Sequence, residues 1–349
     1  MKRAFLMAAI VTACAAPPPP PPPKPIVAGP PTDTVRIALT DLGQRTYYGH
    51  QGGIYPNGQN QPPPDHDSAA RVARNRIRAL DVNGDESPFG KYVLLLIGNA
   101  TANQQACSAS SAPPCASWTF IGRAAADPAV NRSSLVIVNG AEQGDSSAGW
   151  TSAASPNYER IKIGRLNPLG LSENQVEVVW LNLESAHPKF SLPSDSANAW
   201  SFEVQLGQVV RSLRIRYPQL SMVFVSSGIY GGYDSTGYSP EPFAYEEGFS
   251  VKWLIESQIM EMRGSPANPL AGGLNYARKT APVLMWGPYL WANGMIPRSD
   301  STFWGRFDFE ADGVHPSQQG ETKAAGMLLE FFKNMPYTRC WFVANQYCL

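Results

Sequence analysis

Asp312 and His315 stand three residues apart in Asp312-Gly313-Val314-His315-Pro316, just ahead of a helix-forming stretch. A carboxylate at that spacing on a turn can hold one imidazole nitrogen and orient the ring. It also stabilises the imidazolium formed when the other nitrogen takes a proton from a nucleophile. The plainer reading of the same residues is an Asp cap and a surface histidine. Two further segments have the composition of pocket walls. Thr46 to Tyr55 contains Tyr48, His50, Gly52 and Gly53, and a second segment reads Tyr230-Gly231-Gly232-Tyr233. Glycines let backbone approach a ligand and tyrosines offer faces for a sugar ring, although glycine-rich loops stapled by buried tyrosines look the same.

Metal chemistry is not expected. Asp81-Val82-Asn83-Gly84-Asp85-Glu86 resembles the start of a calcium loop, but Glu86 replaces the sixth-position glycine and Tyr92 replaces the bidentate glutamate. A polar turn before a strand explains it better. His66 and His187 have no partner at ligand spacing and read as surface residues.

The elements that must position these groups alternate along the chain. Short runs rich in Val, Leu and Ile occur at Tyr92–Ile97, Leu135–Val138, Val176–Leu183, Met222–Val225 and Val283–Trp286. They lack strict alternation, as parallel strands covered on both faces do. Helical stretches lie between them, clearest at Ala69–Leu80, Trp200–Arg216, Ala244–Met262 and Glu321–Phe332. The pattern predicts an α/β fold, a three-layer α/β/α sandwich around a mainly parallel five-stranded sheet of flavodoxin-like type. Ligands of such sheets bind beyond the carboxyl ends of the strands. The residues there are Gly98-Asn99-Ala100-Thr101, Asn139-Gly140-Ala141, Asn182-Leu183-Glu184, Ser226-Ser227-Gly228 and Gly287-Pro288-Tyr289.

Asp312 and His315, followed by Pro316-Ser317 and Gly320 before the last helix, resemble the final block of the SGNH (GDSL-type) hydrolases. Gly98 after the first run resembles that family's first block, Gly140 its second and Asn182 its third. The resemblance spans most of residues 90–335 and implies a serine esterase without metal or organic cofactor. Asp312 would orient His315 as general base, and Gly140 and Asn182 would donate to the oxyanion. The first block departs from the pattern. Aligning Gly98 puts Ala100 at the nucleophile position, and alanine has no hydroxyl. Three readings stay open: an inactive natural relative or a serine-to-alanine variant, Thr101 one residue on, or Ser146 in Gly144-Asp145-Ser146-Ser147. Ser227 ends the wrong strand for this role, and the G-x-S-x-G elbow of α/β-hydrolases is absent. The implied ligand is a carboxylic (acyl or acetyl) ester of a carbohydrate, and the alternative is an inactive carbohydrate-binding lipoprotein of the cell envelope.

The chain has 349 residues, 43% of them apolar, enough for one large domain. Its 28 basic and 28 acidic side chains cancel, so nucleic acid is not an expected partner. Lys2 and Arg3 precede a short apolar run from Ala4 to Ala13, which ends in a lipobox-like Val11-Thr12-Ala13-Cys14. Residues 1–14 therefore read as a lipoprotein-type signal with Cys14 as the acylated residue, and the membrane is contacted through that anchor only. Residues 15–33 are a proline-rich linker, and residues 34–349 a single domain in an exported, envelope-bound protein. Cys107, Cys115, Cys340 and Cys348 form two sequence-local pairs expected to close as disulfides, 107–115 and 340–348.

Overall fold

Five apolar runs become five parallel strands, β1 Tyr92–Gly98, β2 Leu135–Asn139, β3 Val176–Asn182, β4 Met222–Val225 and β5 Val283–Trp286. The computed structural model that shows them describes residues 34–108, 113–346 and 348. The signal segment, Cys14 and the whole proline-rich linker lie outside these residues. Every residue of β3 is buried, as a strand covered on both faces requires. The strand order is 2-1-3-4-5. All neighbouring pairs are parallel, with Leu96 opposite Asn139 and Gly98 opposite Asn182.

Six main helices flank the sheet. They are α1 Pro64–Arg74, α2 Ala100–Cys107, α3 Phe120–Ala126, α4 Asn198–Arg216, α5 Phe243–Met262 and α6 Gln318–Asn334. Helices α2, α3 and α6 pack on one another, and α4 packs on α5. Right-handed crossovers on either side of β1 place these two groups on opposite faces. The result is the three-layer α/β architecture expected from the sequence, the one that the SGNH resemblance implies.

Two expectations need correction. The first helix occupies Pro64–Arg74 rather than Ala69–Leu80. Pro64 starts it at the first helical position, where a missing N–H costs nothing. Residues beyond Asn75 are instead drawn to the start of the central strand β3, where the Arg78 amide donates to Glu177 Oε1 at 2.9 Å. His66 is not a surface residue: it is 3% exposed, and its Nε2 lies 2.8 Å from the Leu284 carbonyl oxygen. His187 is exposed as expected. Asp81 forms the polar turn, accepting from the Asn83 and Asp85 amides.

Both expected disulfides are present, Cys107–Cys115 and Cys340–Cys348, with Cα separations of 4.6 and 4.9 Å. Such cross-links persist in an oxidising compartment. Among the described residues no helix is long and apolar enough to cross a membrane.

Candidate functional site

Asp312 and His315 lie on the turn between β5 and α6. Asp312 Oδ2 is 2.6 Å from His315 Nδ1, while Oδ1 accepts from the Val314 and His315 amides at 2.9 and 3.0 Å. One carboxylate thus fixes both the turn and the ring. Partial burial raises the Asp312 pKa, but the ring and the two amides outweigh it and hold the group below its usual value. Gly313 sits at φ +73°, and a Cβ there would lie 1.8 Å from the Tyr233 carbonyl oxygen, so only glycine serves. Ser235 clamps the turn from outside, donating its amide and hydroxyl to the Asp312 carbonyl at 3.0 and 2.9 Å. Among the described residues, His315 Nε2 makes no hydrogen bond.

The end of β1 faces this turn. Asn99 caps α2, its Oδ1 accepting from the Ala102 amide at 3.1 Å. Ala100 is the first residue of α2 and is half-buried, and neither its amide nor that of Thr101 has a hydrogen-bond acceptor among the described residues. Two free amides at a helix start can receive negative charge on an oxygen. Thr101, Tyr230, Glu184 and Val314 share one cavity of about 10 Å³, room for a single water. That cavity joins the start of α2 to the Asp312–His315 turn.

The other residues expected at the site divide sharply. Tyr230 borders the cavity. The Gly140 amide donates to Leu96 O at 2.8 Å, continuing the β1–β2 ladder, so it is not a free oxyanion donor. A Cβ at Gly140 would lie 2.6 Å from Ile161 Cδ1, which explains the glycine by packing. Asn182 is buried with its Nδ2 turned toward Ser227 O at 3.5 Å and its Oδ1 unpartnered. Ser146 makes no hydrogen bond to His315, and neither does Thr101. Beside Ser146, Asp145 is held by Arg160 at 2.6 Å, and burial raises its pKa to about 6. Ser226 is tied between Trp180 and the Pro288 carbonyl.

The Tyr48–Gly53 segment serves the scaffold. Its two-residue strands, Thr46–Tyr47 and His50–Gln51, pair antiparallel and rest on α5. There Lys252 donates to the Gln51 and Gly52 carbonyls at 2.5 and 2.6 Å. A Cβ at Gly52 would lie 2.5 Å from Leu42 Cβ, and one at Gly53 would lie 2.3 Å from Gly58 backbone. These glycines admit neighbouring chain, not ligand. Tyr48 packs edge-on against Tyr47, and His50 against two tryptophans of α4 and α5.

Sequence reasoning missed a buried acid pair under the site. Glu184 follows β3 by two residues, and burial raises its pKa to about 7. Glu247 on α5 is raised further, first by burial and then by Glu184, and its Oε1 accepts from the Ser185 amide at 2.6 Å. Two carboxyls this close and this buried cannot both ionise, so the pair retains a proton at neutral pH. The position of Glu184 at a strand end was visible in the sequence; its partner, 63 residues away, was not.

No protein-family model matches the chain, and no curated protein matches it. Among solved structures it is similar to a mutant of an acetyl-xylooligosaccharide esterase from Geobacillus Stearmophilus. That likeness has 11% identity over 71% of this chain and 95% of that one, with a TM-score of 0.36. A salicylyl-acyltransferase from a tetracycline biosynthetic pathway gives 14% identity and a TM-score of 0.35, over 72% of this chain and 58% of that one. An extracellular lipase from Streptomyces rimosus gives 12% and 0.32, over 68% of this chain and 99% of that one. At these values the likeness transfers neither activity nor substrate.

Proposed function

We propose that the carboxyl ends of β1 and β3 form an esterase-like site for a carboxylic (acyl or acetyl) ester of a carbohydrate, with Ala100 at the nucleophile position. The observation that carries this reading is the 2.6 Å contact of Asp312 Oδ2 with His315 Nδ1, which leaves Nε2 free to take a proton. In that reading Asp312 holds the tautomer and His315 is the general base. The Ala100 and Thr101 amides receive the oxyanion in place of Gly140. No cofactor is called for. The protein would be exported and held at the envelope by acylated Cys14.

A second reading is favoured by one observation: no hydroxyl among the described residues hydrogen-bonds to His315. A chain that kept the pocket and lost the covalent step would act as a carbohydrate-ester binding protein. Hydrolysis of p-nitrophenyl acetate separates the two. The protein is compared with Ala100→Ser, each with and without His315→Ala. We expect Ala100→Ser to raise turnover by about 100-fold or more, on the scale of a restored nucleophile, and His315→Ala to abolish the gain. Fast, His315-dependent turnover by the unchanged chain would move the nucleophile elsewhere, with Thr101→Ala and Ser146→Ala as the next variants. No gain from Ala100→Ser would refute the placement of Ala100.

A further inference from the structure

Two tryptophans on the α4–α5 layer escape the core. Trp200 and Trp253 stack at 4.2 Å with planes 13° apart, and both remain partly exposed. His50 packs edge-on against each ring, at 5.3 and 4.9 Å. The pair borders a cavity of about 320 Å³, at the lower end of the range for small-molecule sites. Beside the rings the cavity is lined by polar Glu203, Ser257 and Asn268 together with apolar Met260, Pro266 and Leu270. Glu203 is 1% exposed, and its Oε1 accepts from Asn268 Nδ2 at 3.2 Å and Ser257 Oγ at 3.4 Å. Among the described residues its second oxygen accepts no hydrogen bond. Burial raises its pKa to about 7, so the carboxyl is a donor or an acceptor near neutral pH.

A largely buried carboxyl with one oxygen not engaged by the protein keeps hydrogen-bonding capacity for a ligand at the cavity. A flat aromatic block beside it offers an apolar platform at low entropic cost. An organic cation fits these groups poorly. It needs ring faces that converge, and two parallel stacked rings do not enclose one. The other carboxylate on the cavity, Glu256, is already balanced by Lys252 at 3.6 Å. A pyranose matches better, because its C–H face is flat and apolar while its rim carries hydroxyls that both donate and accept.

We propose that the cavity between Trp200, Trp253 and Glu203 is a saccharide-binding site, separate from the Asp312–His315 site, that takes one or two neutral sugar units of an oligosaccharide chain. The tryptophan pair carries the ring face, and Glu203 with Asn268 and Ser257 reads the hydroxyls. Lys252 holds the Gln51–Gly52 backbone and so keeps His50 as a buttress behind the pair. The site asks nothing of His315, so its test stands whether or not the esterase reading does.

The test is calorimetric titration of the full-length protein with tetrasaccharides of β-1,4-linked glucose, xylose and N-acetylglucosamine, at up to about 10 mM. At least one should bind, and Trp200→Ala and Glu203→Gln should each weaken it about tenfold or more. Glu203→Gln preserves volume, and thermal melts of both variants check that they are folded. Absence of binding by all three sugars would overturn the proposal. So would binding that survives both substitutions, or that survives Trp200→Ala and vanishes with His315→Ala, since the latter belongs to the ester site. Trp200-dependent binding of tetramethylammonium in place of any sugar would also overturn it.

Discussion

At the scale of single residues, everything asked of His315 passes through one hydrogen bond from its Nδ1 to Asp312 Oδ2. An asparagine at position 312 would keep the volume, yet its amide can present N–H to the ring and stabilise the wrong tautomer. In the Ala100→Ser background, Asp312→Asn should therefore lower kcat by about 10³–10⁴-fold, with the substrate KM changed far less. Steady-state hydrolysis of p-nitrophenyl acetate measures both. Equal kcat in the two proteins would show that His315 works without Asp312. This pair was legible because its geometry is local: three residues on one turn decide it. The oxyanion donors were not. Whether the Gly140 amide is free depends on Leu96, 44 residues away, and the ladder bond that consumes it leaves no mark in the sequence. Glu184 and Glu247 were hidden in the same way, since only the contact of α5 with the segment after β3, through the Ser185 amide, makes them a pair.

At the scale of elements, β3 carries one acid among apolar neighbours. Glu177 is 2% exposed, one oxygen accepts the Arg78 amide and the other has no partner. Burial raises its pKa to about 9, so the folded protein keeps it protonated where the unfolded chain ionises it. The sign follows from linkage. The raised folded pKa means the full contribution is present below the unfolded value near 4.5, and it is lost as pH rises towards 9. The loss is at most about 1.4 kcal/mol per pH unit. Glu177→Gln cannot ionise and should melt higher than the parent at pH 8, with the gap closing at pH 4. Thermal melts across that range check it, and a gap independent of pH would assign the effect to packing alone. Strands such as β3 were legible because a parallel strand covered on both faces is a nearly continuous apolar run. Helices α2 and α3 were not, since eight and seven residues barely complete two periods. The start of α1 was misplaced because its proline-led first turn, Pro64 to Asp67, carries no apolar stripe.

At the scale of the whole molecule, the order 2-1-3-4-5 makes the crossovers reverse between β1 and β3, and that reversal opens the crevice holding the site. Strand-helix alternation revealed the class of sheet; the order emerges only from pairing. The far end of the chain is secured differently. Trp341 and Phe342 are buried, Phe342 stacks on Phe332 and Phe120 at 5.4 and 6.2 Å, and its carbonyl accepts from the Asn131 amide at 2.8 Å. The Cys340–Cys348 bridge then closes a loop with a sequence separation of 8. Loop-closure entropy for so short a span is worth about 2–3 kcal/mol. Packing already docks this end, so the Cys340→Ser/Cys348→Ser variant should fold and melt several degrees lower, at roughly 2–4 °C per kcal/mol for a large domain. Calorimetry with and without reductant isolates the bridge. Reductant should lower the melting temperature of the unchanged protein more than that of the variant, which retains only Cys107–Cys115. If the two proteins melt together under oxidising conditions, the aromatic packing alone fixes the terminus and the bridge adds nothing to stability.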